Sequence, residues 1–473
     1  MLFNSVEFLL FFPIVTALYF ILPNQWRWLL LLLASCLFYM AWIPIYVTIL
    51  FLIIIVDYVA ARKIEGATGS KRKLFLLVSV IANVSLLAIF KYYDFLGQNL
   101  SEILNLMHIT WKVPPLNLIL PIGLSFHTFQ ALAYTIEVYR GNQPAERHLG
   151  IYALYVMFYP QLVAGPIERP QNLIHQFKEN HSFVPENVVS GLRLMLWGFF
   201  KKIVIADRLA MLVNHVYNQP HEYSGLPLVL ATYCFAYQIY CDFSGYSDIA
   251  IGAARVMGIK LMKNFNSPYA AANIQDFWHR WHISLSSWFR DYLYIPLGGS
   301  KCGEILRLRN ILIVFFVSGL WHGANWTFAE WGLLHGAFII IYLYWKRGAL
   351  SKALPAALQH YLGLFITFNF VCFAWIFFRA NSVADAHWIA MHLLPLNNAD
   401  KLGDLGLTGG EMLVSIVAIL ILELVQFFER NRGGVAFLEK QRLSTRWICY
   451  YTLILYIIIL GEFGGARFIY FQF

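Results

Sequence analysis

Residues 318–328 read SGLWHGANWTF, which puts an ionisable imidazole, His322, between two apolar runs. The run before it, Ile311 to Leu320, has about half the length of helix that crosses a bilayer. A helix entering from the cytoplasmic face after Arg309 would leave His322 at depth. Polar groups at depth are costly and usually face a cavity; the plain alternative is a hydrogen-bonded core histidine. Imidazole titrates near neutrality, which suits the general base of a hydroxyl nucleophile. Asn325 could orient the ring or hydrogen-bond a carbonyl oxygen. Gly323 permits close backbone approach, and Trp321 and Trp326 could wall a tunnel.

A second set lies in Asp276 to Tyr294, DFWHRWHISLSSWFRDYLY. On one continuous helix, Trp278, Trp281, Leu285, Trp288 and Tyr292 form an aromatic stripe, with Arg280 and Arg290 off it. The plain reading is an interfacial helix anchored by tryptophan. His279 and His282 have a metal-compatible spacing, but no carboxylate or cysteine completes a ligand set, so no metal is expected. In IYCDFSGYSDIAIG, Asp242 and Asp248 follow an apolar span. Either Ser244, Gly245 and Ser247 form a turn and the aspartates cap helix ends, or the aspartates line a polar cavity. FYPQLVAGPIERP, residues 158–170, carries three prolines and reads as a loop or re-entrant turn, with Glu168 and Arg169 paired to neighbours.

These residues need a scaffold, and composition says which kind. Of 473 residues, 59% are hydrophobic and 13% charged, about half the charged share of a soluble domain. We therefore expect an all-α, polytopic integral membrane protein, since a helix satisfies its own backbone in lipid. The first apolar run lacks a basic flank and a cleavage site, so it reads as a retained span. The net charge of +9 comes from basic residues between apolar runs; it reports topology rather than nucleic-acid binding. The six cysteines are scattered and suggest neither a zinc site nor a disulfide framework.

Counting runs gives roughly 11 to 13 spanning or re-entrant helices. Several middle ones, near 151–163, 191–205 and 226–240, are too short to cross alone. Basic loops at Arg62 to Lys73, Lys346 to Lys352 and Arg430 to Arg446 are placed inside, which leaves both termini outside. One membrane domain, 1–473, is expected, with an interfacial segment around 262–310 and a short aromatic tail, 464–473. Physics alone leaves two classes open. One is an intramembrane acyl- or group-transfer enzyme with His322 as base; the other is a proton-coupled transporter with His322 as relay. Duplicated halves with matching broken helices would favour a transporter, and the sequence has no such repeat.

DFWHRWHISLSSWFRDYLYIPLGG followed by GLWHGANWTF resembles the membrane-bound O-acyltransferase family. YPQLVAGPIERP and CDFSGYSDIAIG resemble its bacterial branch, which serves alginate, peptidoglycan and cellulose acetylation and D-alanyl transfer to teichoic acids. The resemblance covers essentially the whole chain. It implies a ring of helices around a tunnel, with His322 as the catalytic histidine and His282 as the second family histidine. It further implies acetyl-CoA, or a carrier protein, as cytoplasmic donor, with Arg280 and Arg290 available to its phosphates. No bound cofactor is implied. The expected partner is an extracytoplasmic, SGNH-hydrolase-like acyltransferase with a serine nucleophile, serving an exported polysaccharide. The ending GEFGGARFIYFQF resembles the branch's terminal aromatic motif, which makes Tyr470 a candidate acyl carrier, with Gly464 and Gly465 giving the tail freedom to bend. Residues alone would read the same ending as an aromatic belt at the membrane interface.

Overall fold

The structure is a computed structural model that describes residues 1–396, 399–432, 441–463 and 468–469. The described residues are helical and contain no strand. Among the described residues, six helical segments are long and apolar enough to cross a membrane: Gly69–Leu106, Glu304–His322, Trp326–Arg347, Ala356–Arg379, Gly409–Asn431 and Leu443–Leu460. Their outward side chains are those of a membrane protein. Along Leu443–Leu460, Ile448, Ile458 and Ile459 are 65%, 63% and 72% exposed, an arrangement stable only where hydrocarbon covers it.

By internal packing the chain divides into two compact units. The first comprises residues 1–193 and 250–263, the second 194–249 and 264–473. In the first, α1 (Val6–Ile21), α2 (Asn24–Met40), α3 (Tyr46–Gly66) and α4 (Gly69–Leu87) precede α5 (Tyr93–Leu106), α6 (Leu124–Arg140) and α7 (Leu149–Met157). A buried polar node ties α3 to α4. Asp57 accepts hydrogen bonds from Ser79 Oγ at 2.6 Å and Asn83 Nδ2 at 2.9 Å, which satisfies an acid that would otherwise be costly there. The 158–170 stretch is an irregular, buried turn, as expected, and Glu168 accepts from Asn172 Nδ2 and from Met262 N.

The second unit departs from the expected boundaries. α8 (Pro185–Phe199), which starts in the first unit, runs without a break into a π-helical turn, Phe200–Ala206, and on into α9 (Asp207–Tyr217). α10 (Leu226–Val256) likewise continues for 31 residues. Neither is the short segment inferred from hydropathy. Both carry charged residues that break the apolar run yet stay helical, because those charges are buried against partners. Ser244, Gly245 and Ser247 lie within α10 and form no turn, so Asp242 and Asp248 cap nothing.

The Asp276–Tyr294 stretch is not one amphipathic helix. α11 (Ile274–Arg280) ends, Trp281 and His282 form a break, and α12 (Ile283–Phe289) passes into a π-helical turn, Arg290–Tyr294. Trp278, Trp281, Leu285 and Trp288 are all buried in protein. The stripe therefore builds an aromatic core rather than an anchor in lipid. α13 (Glu304–His322) and α14 (Trp326–Arg347) then pack as a close pair. Gly319 and Gly332 make that approach possible: a Cβ on Gly319 would lie 2.1 Å from the Phe328 carbonyl oxygen, and one on Gly332 as near that of Phe315. α15 (Ala356–Arg379), α16 (Val383–Met391), α17 (Gly409–Arg432) and α18 (Leu443–Leu460) complete the unit. Of the tail, Phe468 and Ile469 are described; Gly464, Gly465 and Tyr470 lie outside the described residues.

Candidate active site

His322 is the last residue of α13. The helix has 19 residues rather than the half-span expected, about 28 Å of rise, so helix length alone does not set the histidine's depth. His322 is 4% exposed, and three rings pack around it. Its centroid is 4.9 Å from Trp321, 5.1 Å from Trp331 and 5.2 Å from Phe378, each edge-on. Gly323 follows in an extended conformation, and a Cβ there would meet the Phe328 ring at 2.0 Å. The Gly323 position thus lets the chain turn from α13 into α14 without displacing that ring.

Asn325 and Trp326 belong to that turn. Asn325 caps α14, its Oδ1 accepting Thr327 N at 3.1 Å, a different task from orienting the imidazole. Trp326 is 49% exposed and lies outside the aromatic cage, whereas Trp321, at 4% exposure, is part of it. Trp321 also touches the second histidine: its ring centroid is 6.3 Å from that of His282. The two motif histidines therefore flank one indole.

His282 occupies the break between α11 and α12 with φ of 42°, in the left-handed region. Such a conformation costs energy in a non-glycine residue and gathers at functional sites. Asn264 holds it there. Asn264 Oδ1 accepts from Ser284 Oγ at 2.9 Å and lies 3.2 Å from His282 Nδ1, and Asn264 Nδ2 donates to Ser247 Oγ at 3.1 Å. Burial pushes the His282 imidazole down to about 3, so the ring is neutral. With Oδ1 as acceptor, Nδ1 carries the proton and Nε2 the basic lone pair. Phe243 packs edge-on against the ring at 4.6 Å.

A cavity of about 300 Å³ opens beside these elements. Its wall includes Trp278, His279, Arg290, Arg307, Phe315 and Ser318. Ser318 lies one helical turn before His322. Arg290 is thus on the cavity, although its Nε also pairs with Asp291 at 2.8 Å. Arg280 sits apart from that wall, pairing with Asp276 at 2.8 Å along α11.

Asp242 is 3% exposed in the middle of α10. Its Oδ1 is 2.8 Å from Lys202 Nζ, which is also 2.8 Å from Asp207 Oδ1. Lys201 pairs with Asp248 at 2.6 Å. Reading the sequence picked out the aspartates but missed their partners. The signal was present: two lysines inside the apolar run GFFKKIVIA must be paired if that run is buried. Asn264 was also missed, as was His335, a wholly buried histidine of α14 whose ring lies 4.9 Å from Trp331 and 5.0 Å from Trp278. Trp331 thus stands between His322 and His335. Among the described residues, no group of three or more His, Cys, Asp or Glu could hold a metal ion.

The fold and site define a helical membrane protein whose two motif histidines are buried in an aromatic core. The model of the membrane-bound O-acyltransferase family, MBOAT, matches residues 146–384, a stretch that contains His282 and His322. The chain is 38% identical to a peptidoglycan O-acetyltransferase of Helicobacter pylori over 436 residues, 84% of this chain and 80% of that one. It is 37% identical to a probable alginate O-acetylase AlgI of Pseudomonas aeruginosa over 431 residues, 89% and 81% of the two chains. A teichoic acid D-alanyltransferase of Bacillus subtilis is 29% identical over 65% of this chain and 78% of its own. The chain belongs to the membrane-bound O-acyltransferase family and is a multi-pass membrane acyltransferase.

Proposed function

We propose that this acyltransferase takes an acetyl group from acetyl-CoA on the cytoplasmic side and passes it outward for O-acetylation of an extracytoplasmic polysaccharide. The polymer is an alginate-type or other cell-surface or cell-wall glycan. The observation that carries this reading is the buried, ring-caged His322 one turn beyond Ser318 on the cavity wall. Relatives named for acetylation of peptidoglycan and alginate support the acetyl group and the glycan. The protein works in the bacterial inner membrane with both termini outside, as the loop charges suggest.

His322 removes the proton from a hydroxyl nucleophile as the oxygen attacks the thioester carbonyl. The C–S bond breaks, and the proton leaves with the thiol of coenzyme A. Tyr470 is that hydroxyl, and its acetyl ester passes to the serine of an extracytoplasmic SGNH-hydrolase-like partner. Arg290 and Arg307 lie on the cavity wall and suit the anionic groups of the donor.

Purified protein in sealed vesicles with labelled acetyl-CoA inside should deliver label to an external acceptor while intact acetyl-CoA stays inside. A transporter using His322 as a relay would instead carry protons in the absence of any acetyl donor. Proton flux without acetyl-CoA, and no transferred label, would end the enzyme reading.

His282 assists from the donor side, with its Nε2 lone pair set by Asn264. We expect His282→Ala to reduce turnover by about a hundredfold and Asn264→Ala by about tenfold. His279→Ala should be better tolerated. Normal donor binding and turnover in His282→Ala would remove this role.

A further inference from the structure

Among the described residues, the C-terminal tail is held at two separate places in the second unit. The first is near its root. Arg208 Nη2 donates to the Leu460 carbonyl at 2.6 Å and pairs with the Glu462 carboxylate at 3.0 Å. Glu462 N donates to the Ile203 carbonyl at 3.1 Å. Ile203 belongs to the π-helical turn 200–206, and such turns recur at functional sites.

The second place is near the end. Phe468 and Ile469 are each 1% exposed. The Phe468 ring lies 4.8 Å from Tyr246 and 6.0 Å from Phe243, and Phe243 is the ring that packs on His282 at 4.6 Å. Ring packing supplies attraction but little register. Register comes from a directional contact: Ile469 N donates to Asp242 Oδ2 at 2.8 Å. The other oxygen of the same carboxylate is held by Lys202, itself shared with Asp207.

We propose that Asp242 is a positioning residue for the C-terminal tail, its carboxylate fixed by Lys202 so that it grips the main chain at Ile469. A buried main-chain N–H needs an acceptor, and an ionised one makes the shorter and stronger bond. Residue 470 follows Ile469 directly in the sequence. Fixing the 469 N–H therefore restricts where a nucleophile on residue 470 can act. The grip reads backbone rather than side chain, so it tolerates exchange of Ile469 for another apolar residue but not loss of its N–H. The reading of Tyr470 as acyl carrier gives the grip its purpose, and the test separates the two.

Amide exchange at Phe468 and Ile469, followed by mass spectrometry on the purified full chain, reads the seat without reference to activity. Asp242→Ala should speed exchange there by about tenfold or more, and turnover should fall while KM for the donor stays unchanged. Asp242→Asn keeps one acceptor oxygen for Ile469 N but turns its amide nitrogen toward Lys202, so it should fall between wild type and alanine in both. If the asparagine variant fails as badly as alanine, Asp242 serves only to balance Lys202, and the proposal falls. Should Asp242→Ala not accumulate, Ile469→Pro removes the donor from the chain side and leaves the buried cluster intact. It should speed exchange at the Phe468 amide, whereas Ile469→Val should not. Wild-type protection in Ile469→Pro overturns the grip. If Tyr470→Phe retains activity while Asp242→Ala exposes the tail, the carrier reading falls and the grip stands.

Discussion

His322→Ala is expected to abolish transfer of acetyl to the exported glycan while the protein accumulates normally in the membrane. Loss of a positioned general base lowers a rate by about a hundredfold to ten-thousandfold, or about 3 to 5 kcal/mol of barrier. The same change also removes a ring from between Trp331 and Phe378. Truncating a packed aromatic side chain costs about 3 to 5 kcal/mol of stability, so alanine alone confounds chemistry with packing. His322→Phe restores a planar ring and approximate volume in the same cage but has no basic nitrogen. If the base role is right, Phe and Ala variants are equally inactive, and the Phe variant is the more stable in a thermal melt in detergent. A Phe variant with wild-type transfer would make His322 a packing residue.

Long uniform apolar runs were legible, because lipid demands backbone satisfaction within one segment and so fixes both element type and approximate length. Val6 to Leu22 became Val6–Ile21, and Tyr361 to Phe378 fell within Ala356–Arg379. Charged runs were not. The apolar runs were bounded at 205 and 240, whereas the helices continue, since Lys201 pairs with Asp248 and Lys202 is shared by Asp207 and Asp242. The period of a pattern also fails to reveal a break inside it. Trp278, Trp281, Leu285 and Trp288 keep helical spacing, yet the chain turns at His282 through a left-handed residue that no spacing predicts. Reading the motif located His282 and His322. It did not disclose that His282 packs beside Trp321, or that Asn264, 18 residues earlier, places its Oδ1 at 3.2 Å from His282 Nδ1. Those are tertiary contacts between residues whose types carry no mutual signal.

Tyr470→Phe is expected to reduce glycan acetylation to background, with donor binding intact. The reason lies in leaving groups. Acyl transfer runs most easily from the conjugate base of a stronger acid to that of a weaker one. A thiol near 8.5 and a phenol near 10 differ by little, so an acetyl group can move from coenzyme A to Tyr470 without a large change in free energy. An alkyl alcohol is a far weaker acid than a phenol, so onward transfer to a partner's serine runs downhill. A tyrosine therefore suits a relay between a thioester and a sugar ester better than a serine in the same place would. Its phenol is mostly protonated at neutral pH and needs a base, the part assigned to His322. Phenylalanine keeps the ring, and so any anchoring role, and leaves the Ile469 N–H on Asp242 untouched. The variant thus removes one oxygen and keeps the aromatic ring. In the vesicle assay it should still bind acetyl-CoA, release no coenzyme A beyond the uncatalysed rate and label no external acceptor. Should the partner's serine still become acetylated at the normal rate in Tyr470→Phe, the acetyl group passes from the donor to the partner without residing on this tail.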